Sequence, residues 1–314
     1  MSSFYLTFDV GIVNLAYCFA KYDKELTIID WDIINFSQKK LLCNQIVHLK
    51  KSTRKCGKNA TYTNKTNDNN FCDHHYKTKN ERVSKIPDPN NFSLTNVSEL
   101  IKSLDTLFLN VLTIPYDIDD NGKGKYAKKI NIIIENQPPG LIQTMKSYSV
   151  IMYGFFAAKK IQYPNIISDV RFINAITKTS DEFILEFNKR MNINHCLLNV
   201  YKQQYIENHY NKFLIRSKNT NNNKELKYNK PKPYDIRKAY SVDFVAKITG
   251  TINTKNTFDI LQKNSSNVIA VTNFELSKKK DDMSDTLLYV YHAIFIGIKN
   301  KNKSKKNKKK RKKL

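Results

Sequence analysis

Glycine is scarce in this chain of 314 residues: there are eight, at Gly11, Gly57, Gly122, Gly124, Gly140, Gly154, Gly250 and Gly297. Enzymes that cradle phosphate with backbone place several glycines in one loop, so that bare N–H groups can approach the ligand. Only Gly122 and Gly124 are close together, and no Gly-Lys-Ser/Thr follows them. This argues against a P-loop ATPase, a dinucleotide oxidoreductase and a protein kinase. Apolar runs of about 18 residues are missing as well, as is a signal peptide, and there are only five cysteines. Those absences point to a soluble protein in a reducing, intracellular setting. Acids are the third shortage, with 28 Asp and Glu against 53 Lys and Arg, for a net charge of +25. Residues 299–314 carry 11 of those charges and no acid, which leaves +14 on the first 298. The body is therefore basic in its own right. A polyanionic partner such as nucleic acid is implied, because Lys and Arg gain free energy by displacing condensed counterions.

What is present is a foldable chain. Hydrophobic residues make up 40%, enough for a core, and the length suits one elaborated domain with a smaller module inserted. Short aromatic-rich runs at 4–10, 15–21 and 26–34 predict three antiparallel strands, the first two split by a turn at Gly11. Residues 37–92 break the pattern: they are polar, rich in Lys and Asn, and hold three of the five cysteines. They read as an insertion. Apolar spacing predicts a helix over 94–112. The β-branched run 130–134 predicts a central buried strand, ended by Glu135. Residues 141–161 predict a long helix that is apolar on more than one face, and so covered on two sides. A strand at 166–173 and helices at 181–191, 237–248 and 283–298 follow. Residues 177–235 contain a possible second insertion, and 299–314 reads as a disordered polybasic tail. The sum is a mixed α/β fold with an antiparallel front.

Four carboxylates stand at the ends of these elements. Alternation along 4–9 puts Phe4, Leu6 and Phe8 on one face and Tyr5, Thr7 and Asp9 on the other. An acid in such a strand is costly unless paired or metal-bound, and the same holds for Glu135. Asp282 and Asp285, three apart, share one helix face. Each has a plainer explanation: Asp9 as a turn former, Asp282 as a helix N-cap, Asp285 as a favourable charge at a helix N-terminus. Glu135 has none. Four separated acids in a basic chain together point to a hard-metal site for phosphodiester chemistry.

Three blocks carry a resemblance. Phe-Asp-Val-Gly-Ile-Val-Asn-Leu-Ala-Tyr (8–17), Ile-Ile-Glu-Asn-Gln-Pro (133–138) and Lys-Lys-Asp-Asp-Met-Ser-Asp-Thr-Leu-Leu (279–288) look like the motif blocks of RuvC-type Holliday junction resolvases. The poxvirus branch, with its relatives in other large DNA viruses, is the part of the family they most resemble. The resemblance implies a ribonuclease H-like mixed sheet, antiparallel N-terminal hairpins then parallel strands, flanked by helices. It also implies a Mg²⁺-dependent homodimer that resolves four-way DNA junctions by paired nicks, leaving a 5′-phosphate and a 3′-hydroxyl. Asp9, Glu135, Asp282 and Asp285 would be the catalytic carboxylates on two Mg²⁺ ions, with Asp281 the nearest competitor of Asp282. The helix 141–161 would help form the dimer interface. Arg237 and Lys238 resemble basic residues that meet DNA phosphate, although an exposed helix start explains them equally. For a viral chain, the site of action would be where viral DNA replicates in the host cell. The insertion at 37–92 and the length between Thr177 and Arg237 depart from the compact bacterial form.

Inside the insertion, Cys56, Cys72 and His75 read Cys-x₁₅-Cys-x₂-His, with one tight knuckle suited to structural Zn²⁺. Cys43 is the expected fourth ligand, with His74 or His48 next. A loop with incidental cysteines is the plain alternative. Cys18 reads as core. His195 and His209 read as structural. Three rival functions remain open: another ribonuclease H-like nuclease acting on RNA–DNA hybrids or flaps, a non-catalytic zinc-containing DNA-binding protein, and a phosphotransferase of the actin/hexokinase type. The last needs further glycine-bearing loops that the chain lacks.

Overall fold

A computed structural model describes the chain except residues 1, 13, 24–25, 37–41, 50–51, 65, 68, 78–82, 87–93, 116, 119–122, 138–142, 192–195, 216–230, 250–264 and 312–314. Its centre is a five-stranded sheet built from β1 (Ser3–Val10), β2 (Asn14–Tyr22), β3 (Leu26–Asn35), β11 (Ile130–Asn136) and β12 (Ile167–Asn174), in the order β12-β11-β1-β2-β3. β1 pairs antiparallel with β2, and β2 with β3. β11 joins β1 in parallel, and β12 joins β11 in parallel. This is the ribonuclease H-like mixed sheet expected from the sequence.

Alternation along the strands divides the interior in two. Phe4, Leu6, Phe8, Ile130, Ile132 and Ile134 face one core, closed by α2 (Leu94–Thr113) and α3 (Gln143–Gln162) through Leu104, Phe108, Tyr148, Met152 and Phe156. The opposite face is covered by α4 (Asp181–Met191), α6 (Pro233–Ile248), α7 (Ser265–Leu276) and α8 (Lys280–Arg311), through Phe187, Phe244, Phe274, Met283 and Leu287 among others. Tyr5, Thr7 and Asp9 lie on this second face, so the first strand already points its acid at the last helix. α5 (Leu198–Ile215) packs beside α6 through Tyr201 against Tyr240.

Residues 42–86 form a separate small unit. It consists of β4 (Ile46–Leu49), β5 (Ser52–Lys55), β6 (Tyr62–Asn64), β7 (Asn69–Phe71), α1 (Asp73–Tyr76) and β8 (Ser84–Lys85), paired as a two-stranded and a three-stranded sheet. None of its residues belongs to either main core. A short hairpin, β9 (Asp117–Ile118) with β10 (Gly124–Lys125), precedes β11.

Three expectations are revised. The helix α3 buries one face only: Val150 and Tyr153 are exposed, and Tyr153 stacks on the exposed Phe172 of β12 with ring centroids 4.9 Å apart. The stretch set aside as a possible insertion at 177–235 supplies Phe183, Ile184 and Phe187 to the second core, because α4 has its own apolar stripe. The last helix does not stop at residue 298 but runs to Arg311, taking in most of the expected disordered tail. Lysine is a good helix former, no Gly or Pro interrupts residues 298–311, and cations suit a helix C-terminus.

Candidate active site and thiol–imidazole cluster

Asp9 and Glu135 become neighbours through strand register. In the parallel β1–β11 pair Phe8 lies opposite Ile134, so the next residue on each strand, Asp9 and Glu135, turns to the α8 face. Two contacts fix these strand ends. The Gln137 amide donates to the Val10 carbonyl at 3.1 Å, and the Gly11 N–H donates to the Asn14 carbonyl at 2.9 Å. A Cβ on Gly11 would meet that same Asn14 oxygen at 2.7 Å, so the turn after Asp9 closes this tightly only with glycine.

The last helix is docked by polar contacts from the sheet. Thr7 Oγ1 donates to the Thr286 carbonyl at 2.8 Å, while the Trp31 indole N–H reaches the Met283 carbonyl and Thr286 Oγ1, both at 3.1 Å. Trp31 also stacks on Phe274 of α7, centroids 4.8 Å apart. Asp282 and Asp285 are thereby held over the sheet at the Asp9 end. Asp282 lies inside the first turn of α8, which starts at Lys280, so it is not the N-cap.

Two lysines are threaded among the acids. Lys178, on a single 3₁₀ turn (Ala175–Thr179) after β12, is buried and ion-pairs with Asp285. It donates to Tyr289 Oη at 3.1 Å and also feels the charges of Glu135 and Asp9. Lys238 of α6 pairs with Asp281, and its Nζ is 3.4 Å from Asp282 Oδ1; Lys279 Nζ is 3.8 Å from Asp282 Oδ2. Arg237, its neighbour, is exposed. Lys238 therefore serves the acid cluster, not an open helix start, and Arg237 alone keeps the exposed position.

The electrostatics follow from burial. Asp9 is pushed well above the usual carboxylate range by burial and by the adjacent Glu135, with which it shares a hydrogen bond. Burial also pushes Asp282 and Asp285 up to about 6, aided in each case by the charge of Asp9. Asp281 goes the other way: burial works against it, but the Lys238 ammonium holds it below its ordinary value. Burial would lower Lys178, yet Asp285, Glu135 and Asp9 together keep it raised and charged. Asp282, which senses Asp9, belongs to the cluster more closely than Asp281, which is tied to Lys238.

The donor set Asp9, Glu135, Asp282 and Asp285 is all oxygen and suits a hard cation such as Mg²⁺. The lysines divide it, however. Among the described residues, the group of three or more metal-type donors converging within 4.8 Å is Cys43, Cys56, Cys72 and His75. Cys43 Sγ and Cys72 Sγ lie 3.3 and 3.5 Å from His75 Nδ1, and Cys56 Sγ lies 4.0 Å from Cys72 Sγ. Donors around one tetrahedral Zn²⁺ sit about 3.3–3.8 Å apart, so this knot fits. The hairpin β4–β5 supplies one half: Cys56 N–H donates to the Gln45 carbonyl at 2.8 Å, and Gly57, at φ 66°, lets its N–H reach the Cys43 carbonyl at 3.1 Å. Cys72 precedes α1, whose turn returns His75 to the same point. His74 and His48 are exposed, leaving Cys43 as the fourth member. The cysteines are free thiols. Cys18 is fully buried core, Cys196 is half-buried, His195 lies outside the described residues, and the side chain of His209 is not described.

No family model matches the chain. A stretch of 69 residues is 38% identical to an uncharacterized protein, L451, of Acanthamoeba polyphaga mimivirus, covering 20% of this chain and 17% of that protein. The chain thus matches a minor part of that relative's length. Among solved structures, the yeast mitochondrial Holliday junction resolvase Ydc2 aligns with 92% of this chain and 78% of its own, at 14% identity and a TM-score of 0.37. The fold assignment rests on strand order and direction, not on that alignment. No helix among the described residues is long and apolar enough to cross a membrane.

The raised acids predict a pH signature for the metal-free protein. Asp9, Asp282 and Asp285 bind protons more tightly folded than unfolded. Between about pH 4 and 6 the folded state therefore carries more protons, and stability contributed by these groups is lost as pH rises through that window. The double variant Asp282→Asn/Asp285→Asn is expected to flatten the fall in melting temperature between about pH 4 and 6. Equal slopes in wild type and variant, by calorimetry without divalent cations, would contradict this arrangement.

Proposed function

We propose that the chain is a Mg²⁺-dependent, structure-selective endonuclease that resolves four-way DNA junctions as a homodimer. What supports this reading is that Asp9 and Glu135 adjoin on neighbouring strand ends, while Asp282 and Asp285 stand on the helix docked over that end, near enough for the charge of Asp9 to raise both. The three motif blocks and the basic body agree with it. Two Mg²⁺ ions held by these carboxylates would polarise the scissile phosphate and stabilise the attacking and leaving oxygens. Asp9 and Glu135, on adjacent strand ends, would supply the sheet's half of that donor set. Asp282 and Asp285, one turn of α8 apart, would supply the helix's half. Lys178 would balance the charge of Asp285 until substrate and cation are in place. The exposed Val150, Tyr153 and Phe172 are the apolar surface we assign to the dimer, and the Cys43–Cys56–Cys72–His75 knot we assign to structural Zn²⁺.

The test is cleavage of a mobile-core four-way junction beside a matched duplex and an RNA–DNA hybrid, with and without Mg²⁺. Junction-selective cutting that requires Mg²⁺ is expected; equal cutting of duplex and junction sinks the resolvase reading. The interleaving of Lys178 and Lys238 among the acids favours a second reading, a zinc-containing DNA-binding protein whose acids are merely paired. Junction binding with no cleavage under any divalent cation would select it.

A further inference from the structure

We propose that the thiol-knotted module of residues 42–86 is a second phosphate-binding surface that grips a double-helical DNA arm outside the acid cluster. It rests on the reading that the substrate is DNA, but not on the chain being an active nuclease. Three observations carry it.

The first is where the charge sits. Residues 37–92 contain 12 Lys and Arg against four acids, so +8 of the +14 on the first 298 residues lies in this one insertion. The second is how that charge is presented. Every residue of β5 is exposed, including Arg54 and Lys55, and Lys58, Lys77 and Lys85 are exposed too. None of these five has an acidic partner among the described residues. Among the module's described residues only Cys43, Phe71 and Cys72 are buried. A unit with so little core gains nothing in folding from unpaired like charges. A polyanion supplies the missing counter-charge, through counterion release on binding.

The third is where the module is rooted. Val10 pairs with Leu15, Leu15 with Ile34, and Asn14 with Asn35. The chain therefore leaves β3 for the module at the same end of the sheet that carries Asp9 and Glu135. A DNA arm held by the module would run toward the acid cluster. Polar side chains on the same unit, Thr53 and Asn59 among the exposed ones, are further donors to phosphate oxygens.

The experiment is DNA binding with Ca²⁺ in place of Mg²⁺, across about 50–200 mM salt, for wild type, Arg54→Gln/Lys55→Gln/Lys58→Gln and Lys77→Gln/Lys85→Gln. The first variant should lower the salt slope by about 2–3 and the second by about 2, near 0.9 for each phosphate no longer neutralised. Both should keep their zinc content. Slopes and affinities equal to wild type in both variants would overturn the proposal. So would intact DNA binding with lost binding of polyglutamate, which would assign the surface to an acidic protein. A chain that cuts no junction yet shows the reduced slopes would overturn the nuclease reading and leave this one standing. Junction cutting with unchanged slopes would do the reverse.

Discussion

Glu135→Gln is expected to reduce junction cleavage by more than about 100-fold while leaving the protein folded. Losing a residue that only supports a metal ligand typically costs about 10–100-fold, and Glu135 is proposed as one of the ligands themselves. The substitution keeps shape and hydrogen-bonding capacity at a buried position. It also removes a like charge beside Asp9, whose carboxyl is pushed up first by burial and then by Glu135. Thermal stability without divalent cations should therefore hold or rise, and Ca²⁺ should raise the melting temperature less than in wild type. Lys178→Met is the opposite case. It strips the buried cation from Asp285, Glu135 and Asp9, and breaking one side of a buried pair costs about 3–5 kcal/mol. Its melting temperature should fall without divalent cation and recover with Ca²⁺ by more than wild type gains. Retained cleavage by Glu135→Gln, or the same stability change in both variants, would remove these acids from the chemistry.

The contrast between Glu135 and Lys178 shows what a sequence of this kind can disclose. Glu135 is legible because an acid closing a β-branched run has no local explanation, and Asp9 because alternation from Phe4 assigns its face. Both inferences use only the two-residue period of a strand. Lys178 is one of 53 basic residues, and nothing within its own turn marks it. Its meaning comes from Asp285 and Tyr289, more than a hundred positions away. Trp31 and Thr7 are equally silent, since their role is to receive and fix a helix that the chain makes last. Sequence pattern overstates the burial of α3 because Met145, Ile151 and Phe155, which widen its apolar face, are only half-buried beside the buried stripe of Tyr148, Met152 and Phe156. Cys43 stands first among the candidate fourth ligands. The β4–β5 hairpin explains why, since it brings residues 43 and 57 into backbone contact.

Cys72→Ser is expected to abolish zinc binding and unfold residues 42–86 while sparing the sheet. Small zinc modules draw about 10–16 kcal/mol of apparent binding energy from the metal, and that energy is their folding energy. Here the dependence should be near complete. Phe71 is the one large apolar side chain fully buried among the module's described residues, and beside it in the small sheet Tyr62 stacks on Tyr76 with ring centroids 3.9 Å apart. Cys72 is also the thiol best prepared to ligate. Burial pushes it up, but the backbone N–H of His75 and the neighbouring Cys43 and Cys56 bring it below its ordinary value. Elemental analysis should fall from about one zinc per chain to near none, and amide exchange across β4–β8 should lose protection. The main thermal transition should barely move, because the module gives no residue to either core. His74→Ala, at an exposed histidine outside the knot, should change neither reading. Unchanged zinc in Cys72→Ser would mean that the four donors meet without a metal. The basic surface of the module would then lack the clamp that holds its charges together against their own repulsion.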